Sequence, residues 1–334
     1  MMISGNPNHF LRWFSKLVCL STLFLIFVGG LVTSTGSGLA VPDWPLSYGT
    51  LFPPMVGGVF YEHGHRMVAA TVGFLMLILT LSLARWEKRR WVRILGWAAL
   101  GTVIAQGVLG GITVLFFLPM PVSVSHGILA QTFFILTILI AYSQSQERLL
   151  REGEERKESS SFLRGALGLT ALVYVQLIIG AIMRHTHSGL AIPDFPTMGG
   201  AWIPSFNETM LKTINSWRLD WDLGPVSLGQ MGIHFAHRLW ALVIAVFAVY
   251  LTGQTWKYDR GHTRMIKSIL MMDALVAAQI VLGITTVLSR RAPYITSFHV
   301  MCGAATLGMS VLLVVRACPL KFQDFRNFLL MEKG

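Results

Sequence analysis

The sequence predicts an all-α membrane protein: eight transmembrane helices as two tandem four-helix bundles related by a parallel pseudo-two-fold repeat. Three observations carry this. Of 334 residues, 53% are hydrophobic and 13% charged, with mean hydropathy +0.59, far from the balance of a soluble domain. Several apolar runs of about 20 residues are each long enough to cross a bilayer. Finally, the string Ser37-Gly38-Leu39-Ala40-Val41-Pro42-Asp43-Trp44-Pro45 returns in the second half as Ser188-Gly189-Leu190-Ala191-Ile192-Pro193-Asp194-Phe195-Pro196.

The apolar runs place spans at roughly 14–34, 62–84, 92–115, 122–142, 163–184, 231–252, 266–288 and 296–316. Lys and Arg crowd alternate connections: 85–93, 148–164, 257–267 and the C-terminal tail. The opposite loops are poorer, with no Lys or Arg from Gly36 to Tyr61, Lys212 and Arg218 in the long loop, and Arg290-Arg291 in the last. The positive-inside rule therefore predicts both termini in the cytoplasm. The net charge of +11 reads as topology, not nucleic-acid binding, and the apolar spans make membrane lipid the expected surroundings. Met1 to Lys16 is too polar for a signal peptide, so the first span is expected to remain as an anchor. Cys19, Cys302 and Cys318 show no paired spacing, so neither a disulfide nor a zinc site is expected.

A second string, Gln106-Gly107-Val108-Leu109-Gly110, returns as Gln279-Ile280-Val281-Leu282-Gly283, at a somewhat larger offset than the first. The extra length lies in the outer loop between spans five and six. Each half has an even number of spans, so the halves share one orientation. The expected organisation is an N-terminal half at 1–145, a cytoplasmic linker at 146–162, a C-terminal half at 163–316 and a tail at 317–334.

Of ten histidines, four fall at the outer ends of even-numbered spans. His65 recurs as His237 and His126 as His299, both at nearly the offset of the second string. They form two repeated pairs at one depth. Ionisable groups there are costly and usually functional. Two imidazoles from facing helices suit the axial positions of haem iron, one pair per half. Zinc fits less well, because each half lacks the carboxylate or thiolate that would complete a tetrahedral set. His63, His185 and His187 read as interfacial, and His9 and His262 as cytoplasmic.

Arg66 and Arg238 directly follow two of these histidines. They read either as propionate clamps or as arginines snorkelling to headgroups. Arg184 has the same two readings, but its first-half counterpart is Thr33. Trp44, Phe195 and Trp202 suit an interfacial belt. Three residues before the histidine, the first half has Glu62 and the second has His234. A carboxylate at a haem edge can accept a proton or stabilise positive charge. The bland alternative for Glu62 is an acid at a helix N-terminus.

Glu62-x-x-His65-Arg66, His126, His237-Arg238, His299 and the two Ser-Gly-Leu-Ala-x-Pro-Asp loops resemble the haem A synthase family of cytochrome-oxidase assembly proteins over nearly the whole chain. The resemblance implies oxidation of the C8 methyl of haem O by two hydroxylations to a geminal diol, which loses water to give a formyl group. It implies that His65 and His126 bind the substrate haem O, that His237 and His299 bind a haem b cofactor, and that Glu62 is catalytic. Water is the expected oxygen source. An electron acceptor, a haem O synthase and a second copy of the chain are the further candidate partners. Many bacterial members carry two cysteines in the first outer loop. This chain has none from Gly36 to Tyr61, so the second-half haem becomes the expected electron relay. The rival expectation is a bis-His di-haem b-type membrane electron-transfer cytochrome.

Overall fold

The computed structural model describes residues 8–150, 160–258 and 263–317. Among them the chain is helical: α1 (His9–Ser34), α2 (Gly57–Trp86), α3 (Arg90–Leu115), α4 (Met120–Ser143), α5 (Gln146–Leu150), α6 (Ser160–His185), α7 (Glu208–Leu219), α8 (Leu228–Tyr258), α9 (Thr263–Leu288) and α10 (Pro293–Ala317). All but α5 and α7 are long and apolar enough to cross a membrane, eight helices in all. The protein is an integral membrane protein.

The helices outrun the apolar stretches that announced them. At α1 the Asn8 side chain accepts the backbone N–H groups of Phe10 and Leu11, satisfying orphan donors at a helix start. α2 begins at Gly57, so Glu62 lies in the second turn. Its expected alternative role as a first-turn acid is corrected: that turn carries no acid. Residues 146–150 of the expected linker are helical. Residues 151–159 lie outside the described residues, as do His262, Cys318 and the tail 318–334. Cys19 and Cys302 are free thiols.

α1, α2, α3 and α4 pack in a ring, each against the next and α4 back against α1. α6, α8, α9 and α10 pack in the same order. Leu11, Val18, Val72, Met76, Leu79, Leu83 and Phe133 form one buried core within the first ring. Phe162, Leu169, Leu251, Ile269, Met272 and Leu307 belong to another within the second. Both cores fill the arginine-rich end of the bundle. The repeated loops close the opposite end, here the loop face, and the histidines lie beneath them.

The rings meet through α1, α4, α6 and α10. The Phe27 and Phe298 ring centroids are 4.7 Å apart, and the Thr132 and Tyr174 hydroxyls hydrogen-bond at 2.7 Å. Phe24, Leu20, Trp97 and Ile104 are among the large apolar residues left exposed on the bundle's outside, as lipid contact requires. The long loop between α6 and α8 folds over its half. α7 lays Met210 and Ile214 on Ile192 and Met231 in a small core of its own.

Candidate functional site

His65 on α2, His126 on α4, His237 on α8 and His299 on α10 are all half-buried at the loop-face end of their rings. Each imidazole lies against a glycine of a neighbouring helix. A Cβ built on Gly29 of α1 would sit 3.2 Å from Cε1 of His65. The corresponding distances are 3.5 Å from Gly110 of α3 to His126, 3.4 Å from Gly180 of α6 to His237, and 3.4 Å from Gly283 of α9 to His299. These glycines are themselves repeat-related. Gly29 and Gly180 share the offset of the first repeated string, Gly110 and Gly283 that of the second.

The Gln-x-x-x-Gly string thus acquires a physical meaning. Residues four apart share a helix face. Gln106 Nε2 donates to the carbonyl of His126 at 2.8 Å, and Gln279 Nε2 to that of His299 at 2.7 Å. The glycine one turn on leaves room for the ring. Gln176 Nε2 similarly donates to the carbonyl of His237 at 3.0 Å. Its first-half counterpart is Leu25.

The His237 and His299 ring centroids are 6.4 Å apart, with the planes at 69°. Two metal–nitrogen bonds of about 2 Å, plus about 1 Å from each nitrogen to its ring centre, require a separation of about 6 Å. The observed separation is close to that value, and His237 Nε2 also lies 3.4 Å from Gln176 Nε2. His65 and His126 lie within electrostatic range of each other. Among the described residues, Nδ1 of all four rings is buried without a hydrogen-bond partner. A histidine held only for packing normally finds such a partner. Among the described residues, no group of three or more His, Cys, Asp or Glu gathers to hold a bare metal ion.

The loops over the two sites are built alike. Arg66 donates to the carbonyls of Val41 (3.2 Å), Asp43 (2.7 Å) and Leu46 (2.8 Å) and to Glu62 Oε1 (2.6 Å). Arg238 donates to the carbonyls of Ile192 (2.9 Å), Asp194 (3.0 Å) and Thr197 (3.4 Å). The donors expected for propionates therefore hold the loops. Asp43 accepts the N–H groups of Tyr48 and Gly49, and Asp194 those of Gly199 and Gly200. Trp44–Pro45 and Phe195–Pro196 are both cis.

Glu62 is 3% exposed. Its Oε2 accepts Val41 N–H at 2.8 Å while Oε1 faces Arg66. It points under the loop, not to lipid. His234 stands in the same place: Nδ1 faces Ile192 N–H at 3.1 Å and Nε2 faces Arg238 Nε at 3.2 Å.

Sequence reasoning placed His63 at the interface. It is buried and hydrogen-bonded to Ser47 at 2.8 Å, because the first loop folds down over α2. Arg218, counted there as a loop charge, is buried and tied to the carbonyls of Leu190 and Gly224. Trp44 packs its ring against Gly111 of α3, where a Cβ would come within 2.6 Å. Periodicity carries no signal for such loop contacts. Asp273, within α9, is held by the Thr252 hydroxyl at 2.7 Å, and its isolated charge in an apolar run was the available clue.

The COX15-CtaA family model, described as cytochrome oxidase assembly protein, matches residues 12–58 and 55–311. Similar curated proteins include the heme A synthase of Lysinibacillus sphaericus, 27% identical over 93% of this chain and 97% of the relative. That of Bacillus licheniformis is 28% identical over 85% and 88%. That of Brucella anthropi is 28% identical over 85% of each. Matched across almost all of its membrane helices, the chain belongs to the COX15-CtaA family of cytochrome oxidase assembly proteins.

Proposed function

We propose that this protein is a haem A synthase, oxidising the C8 methyl of haem O to the formyl group of haem A for cytochrome oxidase. The observation that carries the reading is the His237–His299 pair, spaced close to what one iron requires, together with its repeat-related counterpart, His65–His126. The donor set fits haem: two imidazoles per half, each on a glycine cradle and each with an unpartnered Nδ1.

In this reading residues 1–145 hold the substrate haem O through His65 and His126. Residues 163–316 hold haem b through His237 and His299, joined by the linker 146–162 and followed by the tail 317–334. A bis-imidazole haem b supplies one-electron relay chemistry when bound. Glu62, the carboxylate beneath the first repeated loop, is paired with Arg66. It would stabilise positive charge at the C8 methylene carbon, formed when the methyl gives up a proton and two electrons to the electron acceptor, while water attacks that carbon. Arg66 and Arg238 hold the loops that exclude bulk water from the two sites. The arginine-rich connections support cytoplasmic termini in the inner membrane. Lateral entry of haem O from lipid suits a farnesylated substrate. An electron acceptor, a haem O synthase and self-association complete the proposed set of partners.

The test is haem extraction from membranes expressing the chain alongside a source of haem O, for wild type and His65→Ala. Haem A is expected from wild type, and its loss from the variant with haem b retained. Haem b alone in both sites of the wild type would assign an electron-transfer cytochrome instead.

A further inference from the structure

We propose that Arg184 and Arg291 form an anion clamp for the propionates of the second-half haem, and that the first half, lacking one, is built to release its haem. This rests on the haem reading above and adds what separates a retained cofactor from an exchanging substrate.

Arg184 lies four residues beyond Gly180, the glycine against which His237 packs at 3.4 Å. It therefore stands one turn, about 6 Å, nearer the loop face on the same side of α6. Arg291 sits in the α9–α10 turn at φ 68°. Its side chain crosses the second loop, with Cδ 3.7 Å and Nε 3.8 Å from where a Cβ on Gly189 would lie. The two guanidinium groups are within electrostatic range of each other, and Arg184 also of His299. Both arginines are half-buried. Among the described residues neither guanidinium has a hydrogen bond or ion pair. Like charges gathered in a partly desolvated place, with the imidazoles of His299 and His185 as company and no carboxylate bonded to either, favour a mobile anion. A carboxylate is the ligand that a guanidinium fork fits best.

The first half shows what the repeat looks like without the clamp. Leu118 has Arg291's place: φ is 58°, and its Cδ1 lies 3.4 Å from the Cβ position of Gly38, the counterpart of Gly189. Thr33 has Arg184's place, its hydroxyl turned back to the carbonyl of Gly29 at 3.3 Å. Arg66 and Arg238, equivalent in both halves and engaged by loop carbonyls, do not distinguish the sites.

The experiment follows haem transfer from detergent-purified holoprotein to excess apomyoglobin, with each haem identified after extraction. Arg184→Leu/Arg291→Leu is expected to speed loss of haem b about tenfold or more, leaving first-half haem unchanged. Arg184→Lys/Arg291→Lys is expected to restore most of the retention. Thr33→Arg/Leu118→Arg is expected to slow departure of the first-half haem. Haem b loss at the wild-type rate in the Leu pair overturns the clamp. So does equal acceleration from both halves, which marks general loosening. Full retention of haem b in His299→Ala would instead overturn the haem reading itself.

Discussion

Glu62 and His234 do the same structural work in the two halves. Each faces the N–H of a loop residue, Val41 or Ile192, and the guanidinium four residues on, Arg66 or Arg238. An acceptor at this position is therefore an architectural need, and only its charge differs. Glu62→His writes the second half's solution into the first. The loop and the haem content are expected to survive, while haem A formation falls at least about tenfold, as loss of a transition-state charge requires. Wild-type formation of haem A by this variant would reduce Glu62 to a loop anchor.

The second half has an unmet demand. Both donors at His234 require an acceptor, and a neutral imidazole has one acceptor nitrogen. A carboxylate satisfies both. His234→Glu is therefore expected to raise thermal stability by about 1 kcal/mol, read as a higher melting temperature in detergent. A fall in stability would show that the cavity is shaped for the ring.

The glycine cradles set a steric scale. At Gly29 an added Cβ meets the His65 ring at 3.2 Å, closer than the 3.4 Å at Gly180 and Gly283. Gly29→Ala is expected to weaken first-half haem binding several-fold, and Gly283→Ala to leave second-half haem content unchanged. Gly29→Val is expected to empty the first half, since overpacking of this kind costs about 1–3 kcal/mol. Haem content per protein is the measurement. Equal effects at Gly29 and Gly283 would mean that the difference in clearance does not set haem binding.

Most of the membrane frame was legible, because a bilayer demands long apolar helices and those are visible as runs. That the four histidines stand at one end of their helices was legible because repetition placed them in register. The loops were not. Nothing in periodicity says that Arg66 folds back to the carbonyls of Val41 and Asp43, or that His63 lies under Ser47. Those bonds join residues far apart in sequence through irregular backbone. The cradles were half-visible: Gly110 and Gly283 lay in the repeated string, but their partner rings are on other helices. α7 was missed because its apolar face is short and covers a loop core, not a membrane span.

Trp44 and Gly111 share one space in the first half, and the repeat changes both residues in the second. The Trp44 ring leaves no space for a Cβ on Gly111, at 2.6 Å. The repeat-related pair is Phe195 and Ile284, a smaller ring with a larger helix residue. Gly111→Ala is expected to destabilise by about 1–3 kcal/mol, and Trp44→Phe in the same chain to recover most of it. The coupling is read from a double-mutant cycle of melting temperatures. Additive losses would show that the two sites do not share the space.

Asp194 sets the pH response of the second loop. Burial works against its charge. Yet the N–H groups of Gly200 and Gly199 and the Thr197 hydroxyl hold the carboxyl below the ordinary aspartate value. A lowered native pKa means that the charged form is favoured by folding. Its contribution is present in full above the unfolded value of about 3.9 and fades as pH falls through the still lower native value. Gly199 and Gly200, at φ 65° and 81°, turn the chain so that both amides reach the carboxylate. The loop is thus expected to stay closed from neutral pH down to about pH 4 and to open below it, measured by proteolysis or amide exchange across 197–201. In Asp194→Asn the opening should already be raised at neutral pH and should no longer change through the acid range. An opening midpoint near pH 6 in wild type would assign the response to a histidine and remove Asp194 from the account.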